Sequence, residues 1–580
     1  MNKQIILLLL ILNCFCANSE TVINVPPVEG DATDLIREVI QQANEFKDEN
    51  VIISFADTIY NLSRAESIPS LYHISNTTSK KENPDATKHI GVWLKDMENL
   101  TIDGGGAIFM THGEMTSFVI DNCKNIILKN FRLDAADPSV TEIKLIKKGE
   151  NFLEFYIYPP TEFNIEDGNF SFTGESWSFG KNQRNDNHVE FAQLYNPEED
   201  WTIRCASPMK NYTKAEKTGE RTVKFEFDKV PEIKEGERFQ LRHGIRNEAC
   251  MFINRSKDVN LKDIEFNFMG NFGIVSQFSE NVSCGNIRCR PAENSERSNA
   301  GFADFLQFSS CKGLIKIENS IFEGSQDDPI NIHGTHLLVT KIPSSNHIIA
   351  TYMHPQTFGF KPCEIGDELA FVDVKTLNRV GRSVKAKSIR ELDEYNYEIE
   401  YDGRLPEFIN SENCRDYVIE NLTWTPEVII RGNSFRRTPA RAILISTKRK
   451  SIIENNVFYH IPMPAILVAD DARSWYESGP VCDLSITDNT FIDCSSPVIS
   501  ISPEVETFDK PVHSNIRITE NLFKGSGFPI IKVNFCDQIE IKNNTIDLPV
   551  DVTKDDQEFI QMKNVSNFHI INNHFKSTVK

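Results

Sequence analysis

The sequence predicts an all-β chain, a right-handed parallel β-helix with two inserted small antiparallel β-barrel domains. Three observations predict it. An alternating apolar strand followed by Asn-x-apolar recurs through the C-terminal third, first as Val428-Ile429-Ile430-Arg431-Gly432-Asn433-Ser434-Phe435. The motif returns at Asn456/Phe458, Asn489/Phe491, Asn521/Phe523, Asn544/Ile546 and Asn573/Phe575, in steps of 23, 33, 32, 23 and 29 residues. A second strand starts eight residues after each of four of these asparagines, at Arg441, Pro464, Pro497 and Pro529. Two long stretches then lose the rhythm altogether.

Strand-type units at periods of 20–50 residues mean a solenoid or a propeller. Propeller blades need about four strands per 40–45 residues with their own signatures, and those are absent. In a β-helix each strand pairs with its counterpart one rung away. Asn at a turn tolerates left-handed geometry and can hydrogen-bond its neighbours in a stack. Ile, Val and Phe would fill the bore.

Residues 1–19 read as a signal peptide: Lys3, an unbroken apolar run over 5–12, and Ala17-Asn18-Ser19 as a small-x-small cleavage site. The run is too short to span a bilayer. The expected destination is periplasmic or secreted. Cys14 and Cys16 raise a lipoprotein alternative, disfavoured by Asn13 and Phe15. Residues 20–135 hold an N-terminal cap and the first rungs. Residues 33–45 form an amphipathic helix with Thr33 as N-cap, placed to plug the open end of the solenoid. First rungs follow at 99–106 and 125–133.

Residues 136–245 and 336–424 replace rungs by charged, alternating strands, as at 142–148, 221–227, 366–372 and 395–401. Each is expected to be an inserted barrel. Residues 246–335 carry further rungs, with a copy at 314–317 followed by Asn319, and 425–580 the C-terminal rungs.

The chain has 580 residues, 62 basic against 83 acidic, and a net charge of −21. Loss of Lys3 with the leader makes the remainder one unit more acidic. This argues against nucleic acid or an anionic membrane as partner, and no later segment is apolar enough for a membrane span. A homodimer is left open. Thirteen cysteines less two in the leader leave eleven, an odd number with no zinc-type spacing. They read as small buried hydrophobes.

The densest polar constellation lies on two rungs, Ala303-Asp304-Phe305-Leu306 and Gln326-Asp327-Asp328-Pro329-Ile330-Asn331-Ile332-His333-Gly334. Asp304 to Asp327 is 23 residues, so one rung, about 4.8 Å, should separate them. Like charges this close raise proton affinity, which keeps a carboxylic acid protonated at neutral pH. Glycoside hydrolysis uses such a set: one carboxyl protonates the leaving oxygen and another activates water or attacks carbon. Strict alternation would turn Asp328 inward, but Pro329 interrupts the strand there.

These residues resemble the polygalacturonase-type β-helix hydrolases. The closer resemblance is to glycoside hydrolase family 110, the α-1,3-galactosidases of bacteria living on host glycans. It is carried by Phe172-Thr173-Gly174-Glu175-Ser176-Trp177, Asp304, residues 326–333 and 440–446, and the segment DDARSWYESGP at 470–480. The resemblance implies an inverting hydrolase with no cofactor or metal. It would remove terminal α-1,3-linked galactose from a carbohydrate substrate, the blood group B antigen or linear Galα1,3Gal. Asp327 would be the acid, with Asp304 and Asp328 holding the water. Arg441, Trp475, Tyr476, Glu477 and His333 are candidate sugar-binding residues, with Asn331, Gln277, Arg290 and Trp177 as further lining. A polysaccharide lyase is the first alternative, disfavoured by the acidity and by the absence of a basic cluster near Asp327 in the sequence. A non-catalytic glycan-binding solenoid is the second.

Overall fold

The computed structural model describes residues 20–46, 49–180, 191–548 and 559–577. The leader read at 1–19 lies outside them. The chain winds as a right-handed parallel β-helix. One face is a thirteen-stranded sheet in which Met251–Asn254, Ile274–Gln277, Leu306–Ser309, Ile330–Thr335, Ile443–Ile445 and Ile466–Val468 follow one another in parallel. The other two faces form one 23-stranded sheet. They merge because Lys124–Ala135 and Lys257–Phe266 are long enough to pair on both.

The recurring Asn-x-Phe builds two stacks. Asn433 donates its backbone N–H and side-chain amide to Oδ1 of Asn456, at 3.0 and 2.9 Å, and Asn456, Asn489, Asn521 and Asn544 repeat the pattern down to Asn573. Each of these five amides also donates to a strand carbonyl of another rung, so none of these buried amide groups lacks a partner. Beside them Phe322, Phe435, Phe458, Phe491 and Phe523 stack with centroids 4.7–5.1 Å apart. The left-handed residue is not the ladder asparagine but the one before it: Gly432, Asn455, Asp488, Glu520, Asn543 and Asn572 all have positive φ. The same offset explains Asn319, which takes the left-handed position while Ser320 N–H donates to Asn433 at 2.9 Å.

The helix Thr33–Asn44 closes the N-terminal end, burying Ile36, Val39, Ile40 and Ala43 against the bore. Its cap differs from the expected one. Asp31 Oδ1 accepts the Thr33 N–H at 2.8 Å, and the buried Thr33 hydroxyl accepts from Ser63 N–H instead.

The second insert is a closed barrel of Leu337–Ser344, His347–Thr351, Asn396–Asp402, Arg379–Glu391, Glu368–Asp373 and Tyr417–Asn421. The first is built differently. A seven-stranded antiparallel sheet, centred on Arg238–Arg242, Val140–Lys148 and Phe152–Ile157, shares one phenylalanine-rich core with a three-stranded sheet, Glu162–Glu166, Asn169–Thr173 and Ser178–Gly180. All eleven cysteines of the described residues are free, and nine of them are buried.

Candidate active site

The inserts leave the solenoid on either side of one stretch of rungs, and a cleft of about 210 Å³ opens on the thirteen-stranded face of those rungs and their successors. Strand register sets its floor. Leu306 pairs with Ile330, and Ile330 with Ile443. Two residues before each of these stand Asp304, Asp328 and Arg441, so the three form a column across successive rungs. The in-register neighbour of Asp304 is therefore Asp328, and Asp327 stands one residue aside. Asp328 lies ahead of its strand, as Pro329 allows, and escapes alternation.

Arg441 clamps Asp328. Its backbone N–H donates to Oδ1 at 3.0 Å, and Nε and the guanidinium terminus donate to Oδ2. Asp304 and Asp328 are 5% and 1% exposed. The Asp327 side chain, 26% exposed, faces the open side and is paired with Arg204 of the first insert at 2.7 Å. Burial, and then the charges of Asp327 and Asp328, push Asp304 well above the ordinary carboxylate range. Burial raises Asp328 to about 6, against the pull of Arg441 and with a further push from Asp327. Burial acts on Asp327 too, but Arg204, Arg441, Arg246 and Arg242 together hold it below its ordinary value. The surroundings thus favour a proton on Asp304 and a charge on Asp327.

The wall opposite comes from the segment after Ile466–Val468. Asp471 accepts the backbone N–H groups of Arg473, Ser474, Trp475 and Tyr476, folding the loop into a tight arch. Glu477–Ser478 then pairs antiparallel with the strand Ile330–Thr335. The two segments come close at Gly334, where an added Cβ would stand 2.4 Å from Ser478 Oγ. Glu477 enters the cleft and accepts from Asn331 at 3.3 Å and Asn76 at 3.1 Å. Asn331 Oδ1 is buried without a partner. Trp475, 43% exposed, stacks on His354 of the second insert with centroids 4.3 Å apart.

Asp304, Asp327, Asp328, Asn331, Arg441, Trp475 and Glu477 thus line one cleft. The other expected residues do not. His333 is buried behind it: its Nδ1 lies 2.7 Å from Gly334 O, and its Nε2 is 3.3 Å from Gln307 and 3.5 Å from Glu477. Tyr476, in the left-handed conformation, packs toward the second insert, and its carbonyl accepts from His336 N–H. Gln277 is buried and ties down residues 73–75, bonding Ser75 N–H and His73 O. Arg290 pairs with Glu265 and Glu293, off the cleft. Trp177 is in the core of the first insert, its indole donating to Asp137 O.

Several lining residues had no sequence signal. Asn76 comes from an N-terminal loop held by Thr357 at 2.7 Å, and Arg246 follows the first insert and donates to Gln356 at 2.9 Å. Glu504 comes from a further segment, and Arg204 and His354 of the two inserts touch the lining residues Asp327 and Trp475. The absence of a basic cluster near Asp327 is also corrected. Arg204, Arg242, Arg246 and Arg441 all act on it, brought together from positions dispersed over more than 200 residues. Among the described residues no group of three or more His, Cys, Asp or Glu side chains is placed to hold a metal ion.

A solenoid face carrying three convergent carboxylates, with guanidinium and aromatic groups around them, is the equipment of a β-helix glycoside hydrolase. Known proteins agree. A family model for the right-handed β-helix region matches residues 409–546, and one for the GLAA-B β-barrel domain II matches 347–414. Alpha-1,3-galactosidase A of Bacteroides thetaiotaomicron is 41% identical over 555 residues, covering 95% of this chain and 96% of that one. Alpha-1,3-galactosidase A of Bacteroides fragilis is 34% identical over 85% of this chain and 81% of its own, and alpha-1,3-galactosidase B of that species 31% over 89% of each. The chain belongs to the α-1,3-galactosidase family. Among solved structures, an exopolygalacturonase from Thermotoga maritima aligns over 96% of this chain and 91% of that one at a TM-score of 0.40 and 10% identity.

Proposed function

We propose that this protein is an exo-acting α-1,3-galactosidase of glycoside hydrolase family 110, exported through the leader at 1–19. It releases terminal α-1,3-linked galactose from host glycans, including the blood group B antigen and linear Galα1,3Gal, with inversion. The observation that carries the reading is the column of Asp304, Asp328 and Arg441 with Asp327 beside it, in one cleft of the solenoid face.

Asp327 is the general acid. It is the most exposed of the trio, which leaves it open to a leaving group. Asp304 and Asp328, buried one rung apart, hold the attacking water, and the Arg441 clamp fixes Asp328. Inversion needs room for that water between acid and base. Asn331 Oδ1 offers an unused acceptor to a sugar hydroxyl, and the exposed Trp475 ring offers a face to the apolar side of galactose. The net charge of −21 suits a neutral glycan.

Incubation with blood group B trisaccharide and with Galα1,3Gal tests the substrate; no galactose from either refutes it. Proton NMR of the first product tests the stereochemistry. β-Galactose is expected, and initial α-galactose contradicts inversion.

A further inference from the structure

The mechanism needs Asp327 protonated and Asp304 ionised; in the free protein a guanidinium 2.7 Å from Asp327 opposes the first, and burial of Asp304 opposes the second. The first insert supplies that guanidinium. Its edge hairpin, Phe191–Asn196 and Trp201–Cys205, is fastened to the catalytic rungs at two points. Asp200 pairs with Arg436 at 2.9 Å and Arg437 at 3.3 Å. Gln193 donates to the Gln326 carbonyl and side chain at 3.2 and 2.8 Å, and Gln326 donates in turn to Gln240 at 2.6 Å. Gln326 directly precedes Asp327, so the insert grips the backbone that presents it. From this hairpin Arg204 reaches Asp327. Its side chain is 49% exposed and, among the described residues, ion-paired with Asp327. The other cations acting on Asp327 are tied elsewhere: Arg441 to Asp328, Arg246 to Gln356 and the Phe272 ring, Arg242 between the rings of Phe191 and Phe302. Among the described residues, Arg204 alone of the four has no second partner to abandon as it swings into solvent.

The geometry points to Arg204 as a gate on the acid: substrate entering the open side of the cleft displaces its guanidinium from Asp327, and one proton passes from Asp304 to Asp327. That single transfer arms both groups. Asp327 gains the proton an acid must give, and Asp304 becomes the ionised base that water needs. The groups facing the pair are Arg204, Arg441, Arg246 and Arg242 around Asp327, and Asp327, Asp328, Arg246 and Glu477 around Asp304. Taking away the one mobile cation strengthens proton binding at Asp327 relative to its neighbour.

The cycle closes. As the bond from the anomeric carbon to the leaving oxygen breaks, Asp327 gives its proton to that oxygen. Water bonds to the anomeric carbon and loses its proton to Asp304. Asp304 is again protonated, Asp327 again ionised, and Arg204 re-pairs when the products leave.

This rests on the proposed galactosidase reading, and the experiment separates the two. Wild-type protein that releases no galactose from Galα1,3Gal refutes the reading itself. With an active wild type, the pH profiles of kcat/KM and kcat are measured for Arg204→Gln and Arg204→Lys. The kcat/KM profile reports the free enzyme and the kcat profile the complex. In Arg204→Gln the alkaline limb of kcat/KM should rise by about half a pH unit or more while that of kcat stays in place. Arg204→Lys should restore the wild-type limb. An unmoved kcat/KM profile, a shift of the acidic limb instead, or equal shifts in both profiles would each overturn the gate. A crystal structure of Asp304→Asn with the disaccharide bound gives an independent reading. Arg204 beyond hydrogen-bond reach of Asp327 supports the proposal, and a pair still intact refutes it.

Discussion

The rungs after residue 425 and the rungs at 304–331 are the same coil of chain put to opposite ends. In the first, polar groups inside the wall are neutral amides, and each donates to the rungs on either side of it. In the second, one face gathers carboxylates whose burial opposes their charge, beside an orphaned Asn331 oxygen. A solenoid can tolerate the second only because the first is so well satisfied. Stability is carried by repetition, and chemistry by its local interruption.

Substitutions should separate the two regions cleanly. The largest effect belongs to the site: Asp327→Asn is expected to lower kcat about 10³-fold, with the melting temperature nearly unchanged, as steady-state kinetics and calorimetry would register. If activity survives, Asp327 is not the acid. The reverse pattern is expected in the regular rungs. Phe491→Ala empties a place between Phe458 and Phe523, 4.7 and 4.9 Å away, and should cost about 4 kcal/mol in denaturant unfolding. Its kcat per folded molecule should stay at the wild-type value. Asn489→Ala strips an acceptor from two donors of Asn456, both 3.0 Å away, and should cost about 3 kcal/mol. A negligible loss would mean the ladder is ornamental. Trp475→Ala is milder, raising KM about fivefold with little change in kcat, because the ring supplies binding surface alone.

The finest distinction is in pH dependence. Asp304 and Asp328 bind protons more tightly folded than unfolded, so their contribution to stability is complete below the ordinary carboxylate value of 3.8. It is lost as pH rises, for Asp328 through about 6. Asp328→Asn should flatten that fall between about pH 4 and 7 in thermal melts, whereas Asn489→Ala should leave the slope alone. Parallel slopes in wild type and Asp328→Asn would remove the assigned proton.

How much could be read in advance follows the same divide. The Asn-x-Phe spacing disclosed the solenoid because every rung repeats one local code, and the three aspartates showed as a break in it. The 23-residue count from Asp304 to Asp327 falls one short of this rung, which is 24 residues from Leu306 to Ile330, so Asp328 stands in line instead. Trp177, Tyr476, Gln277, His333 and Arg290 looked like lining because polar and aromatic residues near a motif carry no record of facing. Trp177 was claimed by an insert core, and Tyr476 was turned away by a left-handed backbone.

By itself the sequence determined the coil, its ladder, its plug and the location of the carboxylates, because those depend on short-range periodicity. Only the tertiary structure decided which charges meet. Asn76 lines the cleft, and Arg204 and His354 touch its lining residues, from segments far apart in the chain; the proton distribution among three aspartates depends on burial and on arginines equally dispersed. Electrostatic interaction follows distance in space, and no spacing along the chain encodes it.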